Sequence, residues 1–160
     1  MDSTAPLLVF DLDGTLVETA PDLVATLNVV LERAGVAPVP YEKARSMVGG
    51  GARTMIERGL AFAGAAPRPP AEIDELLEGF LAHYEAHIAD ASAVFPGVTA
   101  ALDRFAAEGW QFAVCTNKVE HASILLLRTL GIDHRFRAIC GKNTFPVSKP
   151  DGRALLMTLE

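Results

Sequence analysis

The chain has 160 residues, half of them apolar, so it can bury one core of ordinary domain size. Its formal net charge of −6 argues against a basic face that binds a phosphate backbone, and no nucleic-acid partner is expected. No apolar run approaches the roughly 20 residues that cross a bilayer, and residues 1–6 lack the basic start of a secretory signal, so we expect a cytoplasmic protein without a membrane partner.

The first predicted element is a buried strand that ends in two carboxylates. Apolar residues 7–10 run without a polar break into Asp11 and Asp13, and Gly14 then turns the chain. Such a run is typical of a strand covered on both faces of a parallel sheet, whose ligands lie at the carboxyl ends of the strands. Two carboxylates this close repel each other, and a hard cation such as Mg²⁺ would offset them. A plain strand-to-loop turn uses the same residue types, so spacing alone leaves both interpretations open.

The wider string carries a family resemblance. Residues 10–16, Phe-Asp-Leu-Asp-Gly-Thr-Leu, resemble motif I of the haloacid dehalogenase-like (HAD) superfamily, and residues 16–23 are similar to its phosphoglycolate phosphatase branch. Glu18 and Thr19 stand where that branch usually has Asp-Ser. The resemblance implies that Asp11 is the nucleophile, which forms an aspartyl-phosphate, that Asp13 is the general acid/base, and that both hold Mg²⁺. Gly14 is a candidate substrate-binding residue in the same turn.

Residues 18–90 predict a small all-helical insertion. Apolar spacing predicts helices over 20–34, 41–48, 52–63 and 72–89, and no strand between 18 and 89. This segment interrupts an α/β core made of residues 1–17 and 91–160. In the family it resembles, the insertion is a cap that closes over the active site and selects the substrate.

One loop and one histidine pair stand out in this insertion. Gly50 and Gly51 would let backbone approach a ligand, and Arg53 can pair with a substrate carboxylate, although a plain turn with a solvated arginine is equally compatible. His83 and His87 lie one helical turn apart. A solvated helix face is favoured over a zinc site because no third ligand is indicated.

The α/β pattern resumes at Phe95. We predict a helix over 98–108, a strand over 110–115, a helix over 119–130, a strand over 136–141 and a final helix that contains Leu155, Leu156 and Leu159. The two cysteines, Cys115 and Cys140, fall in the strands and are expected to be buried free thiols.

Two strand or loop ends in this half carry candidate phosphate-binding groups. The hydroxyl and amide of Thr116 and Asn117 can hold phosphate oxygens at the end of the second strand, but they can equally cap the helix that follows. The string Val-Cys-Thr-Asn-Lys resembles motif II of the family, which implies that Thr116 binds phosphate. Lys149-Pro150 resembles motif III, which implies that Lys149 neutralises charge between nucleophile and phosphate; Gly152 stands where a second proline is frequent.

One family motif has no counterpart. The acidic motif IV, which would supply a further Mg²⁺ ligand, does not occur before Glu160. The first strand is also too apolar for an edge strand, so we expect a neighbouring strand from residues after 160. The chain is therefore predicted to be a fragment with an incomplete sheet.

The fold predicted is an α/β, Rossmann-like parallel sheet with an inserted helical cap. The predicted function is Mg²⁺-dependent hydrolysis of a small phosphorylated metabolite, 2-phosphoglycolate first, as the resemblance implies. Two alternatives are a phosphosugar mutase of the same superfamily and a catalytically silent binding module, the latter because the acidic motif is absent.

Overall fold

In the computed structural model, residues 5–160 are described, and they form two compact units. The α/β unit takes in the described residues up to Glu18 together with Ala93–Glu160, and the helical unit is Thr19–Ser92. Residues 1–4, part of the segment that lacks the basic start of a secretory signal, lie outside the described range. In chain order the elements are β1 (Leu7–Phe10), β2 (Val17–Glu18), α1 (Ala20–Arg33), α2 (Tyr41–Arg45), α3 (Ala52–Phe62), α4 (Pro70–Ala86), β3 (Ala93–Val94), α5 (Val98–Ala107), β4 (Gln111–Cys115), α6 (Glu120–Thr129), β5 (Ala138–Cys140) and α7 (Gly152–Leu159).

The core of the α/β unit is a three-stranded parallel sheet in the order β1-β4-β5. Phe10 of β1 pairs with Val114 of β4, and Cys115 of β4 pairs with Cys140 of β5. The predicted α/β fold with a parallel sheet is confirmed. Because the strands are parallel and in register, the residues that follow them meet at one edge of the sheet, where ligands of such folds bind.

Strand β1 is less buried than its apolar sequence predicted. All four of its residues are half-buried, whereas the last four residues of β4 are buried. Within residues 5–160, β4 is the only strand hydrogen-bonded to β1. The apolar run predicted the strand itself, and within the described residues its burial is partial.

A two-stranded antiparallel sheet, β2 with β3, was not expected from the sequence. Val17 pairs with Val94, and Glu18 pairs with Ala93. Two-residue strands are too short to show the alternation by which strands are recognised. This pair ties together the two chain segments of the α/β unit.

The helical unit is built around α1, which packs against α2, α3 and α4. Gly59 of α3 permits a close approach, since a Cβ there would lie 3.2 Å from the side chains of both Leu27 and Leu31. The four predicted helices are present. The last begins and ends earlier than predicted, at Pro70–Ala86, and α2 is shorter than predicted. The largest fully buried side chains of the unit are Leu27, Leu31, Ile56, Phe80 and Tyr84.

A buried carboxylate closes the helical unit. Asp22, in the first turn of α1, accepts hydrogen bonds from the backbone N–H groups of Ala91 (3.0 Å) and Ser92 (2.8 Å) and from the Ser92 hydroxyl (2.6 Å). These bonds join the first helix of the unit to its last residues. Such charge-assisted bonds are stronger than neutral ones.

Both cysteines are buried free thiols, as predicted. Burial, as the largest cause, raises the pKa of the Cys140 thiol. Among residues 5–160, no helix combines the length and the apolar character that crossing a bilayer requires.

Candidate active site

The turn after β1 fixes the positions of Asp11 and Asp13. The side chain of Leu12 between them is fully buried, and its carbonyl oxygen accepts the N–H groups of residues 15–17 at 3.1–3.2 Å. Gly14 has φ of 75°, a conformation that favours glycine, and its own N–H is bonded within the turn. The buried side chain of Leu12 therefore fixes the turn, and the carboxylates of Asp11 and Asp13 point away from it.

Each of these carboxylates is paired with a different lysine. The Nζ atom of Lys149 lies 3.0 Å from Oδ1 of Asp11, and the Nζ atom of Lys118 lies 3.1 Å from Oδ1 of Asp13. The first pair is partly open, with side chains 31% and 42% exposed, whereas the second is enclosed at 6% and 9%. The positive charge expected beside the two carboxylates is thus supplied, in this structure, by two lysines from separate loops.

Thr116 follows the central strand and is buried. Its N–H donates to the carbonyl of Cys140 at 2.9 Å, and its Oγ1 accepts the N–H of Lys118 at 3.1 Å. A hydroxyl that accepts in this way still has its own proton to donate. Thr116 can therefore donate a hydrogen bond to an anion at the edge of the sheet.

The helix-cap interpretation of Thr116 and Asn117 is wrong. Helix α6 begins at Glu120, and its N-cap residue Val119 makes no side-chain cap hydrogen bond. The N–H of Glu120 instead donates to Oδ1 of Asn143, at 2.8 Å, from the loop after β5. Asn117 is half-buried beside Thr116.

The loop after β5 also holds the backbone of Lys118. The N–H of Lys142 donates to the Lys118 carbonyl at 2.8 Å. Gly141 lies so close that a Cβ there would be 2.3 Å from the backbone nitrogen of Glu120. The Thr144 hydroxyl completes the contact, since it accepts from the Gly141 N–H at 2.8 Å and bonds the Glu120 carboxylate.

Four predicted site residues lie together in the α/β unit: Asp11, Asp13, Thr116 and Lys149. One ion pair joins Lys149 to Asp11, and Lys118 links the other two through its ammonium group and its N–H. Lys118 is the residue that the sequence reasoning passed over. The available signal was its position directly after Thr116 and Asn117 at the end of β4.

The other predicted substrate contacts, Gly50, Gly51 and Arg53, belong to the helical unit. Gly51 is the N-cap of α3 with φ of 90°, and a Cβ at Gly50 would lie 3.0 Å from the side chain of Thr54. The Arg53 guanidinium forms an ion pair with Asp74 of α4. A role for these residues in substrate binding stays a prediction.

The histidine pair of the helical unit is a stacked pair of imidazoles. The ring centroids of His83 and His87 are 4.4 Å apart, and Nδ1 of His87 lies 2.7 Å from a carboxylate oxygen of Asp90. Within the described residues, no group of three or more His, Cys, Asp or Glu side chains is arranged to hold a metal ion.

The donor set of the α/β site fits Mg²⁺. Asp11 and Asp13 offer oxygen ligands at one strand end, and Mg²⁺ is usually held by one or two carboxylates together with water and substrate phosphate. Neither thiolate nor imidazole, which softer metals prefer, lies among the candidate residues of this edge.

Comparisons with known proteins show the family to which the chain is similar. The sequence model of the haloacid dehalogenase-like hydrolases matches residues 8–160. The chain is 46% identical over 156 residues to a phosphoglycolate phosphatase of Agrobacterium fabrum, and 44% identical over 152 residues to one of Caulobacter vibrioides. These matches cover 98% and 95% of this chain, and 66% and 64% of the relatives.

A solved structure gives the same result at the level of the fold. The crystal structure of a predicted phosphoglycolate phosphatase from Haemophilus somnus 129PT superposes with a TM-score of 0.85 at 26% identity. The match covers 98% of this chain and 71% of that chain. This chain therefore spans about two thirds of the length of the proteins it resembles.

Proposed function

Because the chain belongs to the haloacid dehalogenase-like hydrolases, whose family model matches residues 8–160, we propose that it catalyses the Mg²⁺-dependent hydrolysis of a small phosphomonoester. The observation that carries this proposal is the pair of carboxylates after β1, each paired with its own lysine, beside Thr116. The names of the relatives support 2-phosphoglycolate as the substrate. A cytoplasmic location stays a prediction.

Asp11 is assigned as the nucleophile. Its Oδ1 atom is held by the N–H of Leu12 at 2.8 Å and by Lys149 at 3.0 Å, which leaves Oδ2 to attack phosphorus. A bond forms between Oδ2 and phosphorus while the bond from phosphorus to the ester oxygen breaks. The product is an aspartyl-phosphate, an established type of covalent intermediate.

Asp13 is assigned to both proton transfers. It protonates the departing ester oxygen, and it then takes a proton from the water that hydrolyses the aspartyl-phosphate. The water oxygen ends on phosphate, and Asp11 is restored.

Three groups would stabilise the negative charge on the phosphoryl oxygens. Lys149 supplies an ammonium group, and Thr116 supplies a hydroxyl proton. Mg²⁺, held by Asp11 and Asp13, would neutralise phosphoryl charge when bound. Positioning and charge stabilisation are the main sources of rate in phosphoryl transfer.

The helical unit is assigned the role of cap. Gly50, Gly51 and Arg53 are its candidate substrate contacts. Since Arg53 is paired with Asp74, it would have to leave that carboxylate in order to bind a carboxylate of the substrate.

The test is release of inorganic phosphate from 2-phosphoglycolate by the chain, with and without Mg²⁺. We expect turnover that chelation with EDTA abolishes and that excess Mg²⁺ restores. Isomer formation from a phosphosugar without net phosphate release would favour the mutase alternative. Absence of Mg²⁺-dependent turnover of both this substrate and p-nitrophenyl phosphate would favour a silent binding module.

A further inference from the structure

We propose that Lys118 is a positioning residue that holds the Asp13 carboxyl group where it meets the departing oxygen. This inference rests on the proposed phosphatase function, and it adds a residue to which the family resemblance assigned no role.

The ion pair between Lys118 and Asp13 is almost fully shielded from solvent. Lysine is almost never buried unless it is paired, yet the side chain of Lys118 is only 6% exposed, beside an Asp13 side chain that is 9% exposed. Both side chains have lost most of their contact with water, so their contact with each other helps to hold each in place. The Lys149–Asp11 pair is far more open. Of the two pairs, the Lys118–Asp13 contact is therefore the one that restricts the rotamer of its carboxylate more strongly.

The backbone of Lys118 is held by hydrogen bonds on both sides. Its N–H donates to Oγ1 of Thr116 at 3.1 Å, and its carbonyl accepts the N–H of Lys142 at 2.8 Å. A Cβ on Gly141 would lie 2.7 Å from that same carbonyl oxygen, so the two loops are in close contact. The ammonium group of Lys118 is thus carried by a backbone that is bonded on both sides.

Lys118 also contacts both the proposed proton donor, Asp13, and the proposed phosphate-binding residue, Thr116. Thr116 accepts the N–H of Lys118, while the ammonium group of Lys118 contacts Asp13. Lys118 therefore contacts both the residue whose hydroxyl is assigned to phosphate and the carboxyl group assigned to the ester oxygen. Proton transfer needs the acid within hydrogen-bonding reach of the oxygen, and small misplacements of catalytic groups are costly.

The experiment compares two leaving groups at saturating Mg²⁺. An alkyl ester such as 2-phosphoglycolate needs its departing oxygen protonated, whereas p-nitrophenolate leaves without a proton. The value of kcat/KM reports steps up to departure of this group. We expect Lys118→Met to lower kcat/KM for 2-phosphoglycolate about 10-fold or more beyond its effect on p-nitrophenyl phosphate, as a partial loss of a general-acid contribution of about 100-fold or more.

Two comparison variants define the pattern. Asp13→Asn should show the same selective loss, larger in size, and Lys149→Met should lower both substrates by similar factors. Lys118→Arg should recover part of the loss on 2-phosphoglycolate. If Lys118→Met does not fold, as judged by circular dichroism, Lys118→Gln takes its place in the same comparison.

The outcomes distinguish failure of this inference from failure of the proposed function on which it rests. Equal loss on both substrates, or no loss, overturns the positioning role of Lys118 while the phosphatase proposal stands. A selective loss for Asp13→Asn without one for the Lys118 variants has the same meaning. Failure of the unchanged chain to hydrolyse either substrate, or full activity of Asp11→Asn, overturns the proposed function and this inference with it.

Discussion

The N–H of Glu120, the first residue of α6, donates a hydrogen bond to the side-chain oxygen of Asn143 at 2.8 Å. A loop that follows β5 thereby caps the helix that follows β4. The residues between β4 and α6 are relieved of that capping role, and Oγ1 of Thr116 accepts the N–H of Lys118 instead. Two neighbouring loops at the carboxyl edge of the sheet are thus one structural unit.

Replacing Asn143 by Ala should destabilise the chain by about 1 kcal/mol, the usual effect of losing an N-cap acceptor. Urea unfolding measures this change. Asn143→Asp, which keeps an acceptor oxygen, should lose less. If the two substitutions have the same effect on the free energy of unfolding, the cap hydrogen bond does not contribute as the distance implies.

Replacing Gly141 by Ala should be more damaging. The new Cβ would lie 2.3 Å from the backbone nitrogen of Glu120, so one of the two loops must move. Overpacking of this kind typically costs about 1–3 kcal/mol, and we expect kcat/KM to fall as Lys118 is displaced. Gly79→Ala is the matched control, because Gly79 lies within α4 with open space at its Cβ position and should become slightly more stable. Equal stability of the two variants would contradict the close contact of the loops.

Local sequence predicted those parts of the site that depend on strand ends. Asp11 and Thr116 directly follow apolar runs, Asp13 lies two residues after Asp11, and the topology of a parallel sheet then brings such strand ends together. Lys118 was missed because its burial depends on Asp13, which is distant in sequence, and an isolated lysine is normally read as exposed.

Local sequence did not predict which loops and strands contact each other, or how far each strand is covered. The hydrogen bond from Glu120 to Asn143 joins loops that follow different strands, so no local sequence pattern predicts it. The two-residue strands β2 and β3 are shorter than any periodicity, and the half-burial of β1 depends on what lies beside it rather than on its own composition.

Replacing Asp11 by Asn should abolish turnover and leave the fold intact. The substitution removes the charge of the oxygen assigned to attack phosphorus, and the side chain is 42% exposed, so little stability depends on it. Phosphate release and circular dichroism of the same sample measure the two parts of this prediction. Retained phosphatase activity would remove the assignment of Asp11 as nucleophile.

Replacing Asp22 by Ala should destabilise the helical unit by roughly 3 kcal/mol. Asp22 is 5% exposed and accepts the N–H groups of Ala91 and Ser92 and the Ser92 hydroxyl, and removing the carboxylate leaves these donors without their acceptor. Hydrogen exchange of amides in the helical unit measures the change. Asp22→Asn, which keeps one acceptor oxygen, should be intermediate. A loss below about 1 kcal/mol for Asp22→Ala would mean that water replaces the carboxylate.

The stability of the helical unit should fall as the pH drops below the ordinary histidine value of 6.5. Burial, and then the charges of His87 and Arg33, lower the pKa of His83, while Asp90 opposes them. The unfolded chain therefore binds a proton at a pH where folded His83 stays neutral, and stability is lost as the pH falls from about 6.5 through the lower, folded-state pKa. Hydrogen exchange of the α4 amides at several pH values, after correction for the intrinsic exchange rate, measures this dependence. His83→Gln should reduce the slope, since glutamine does not titrate and can still hydrogen-bond Thr26, the partner of His83 Nδ1 at 3.3 Å. An unchanged slope in that variant would assign the pH dependence to another group.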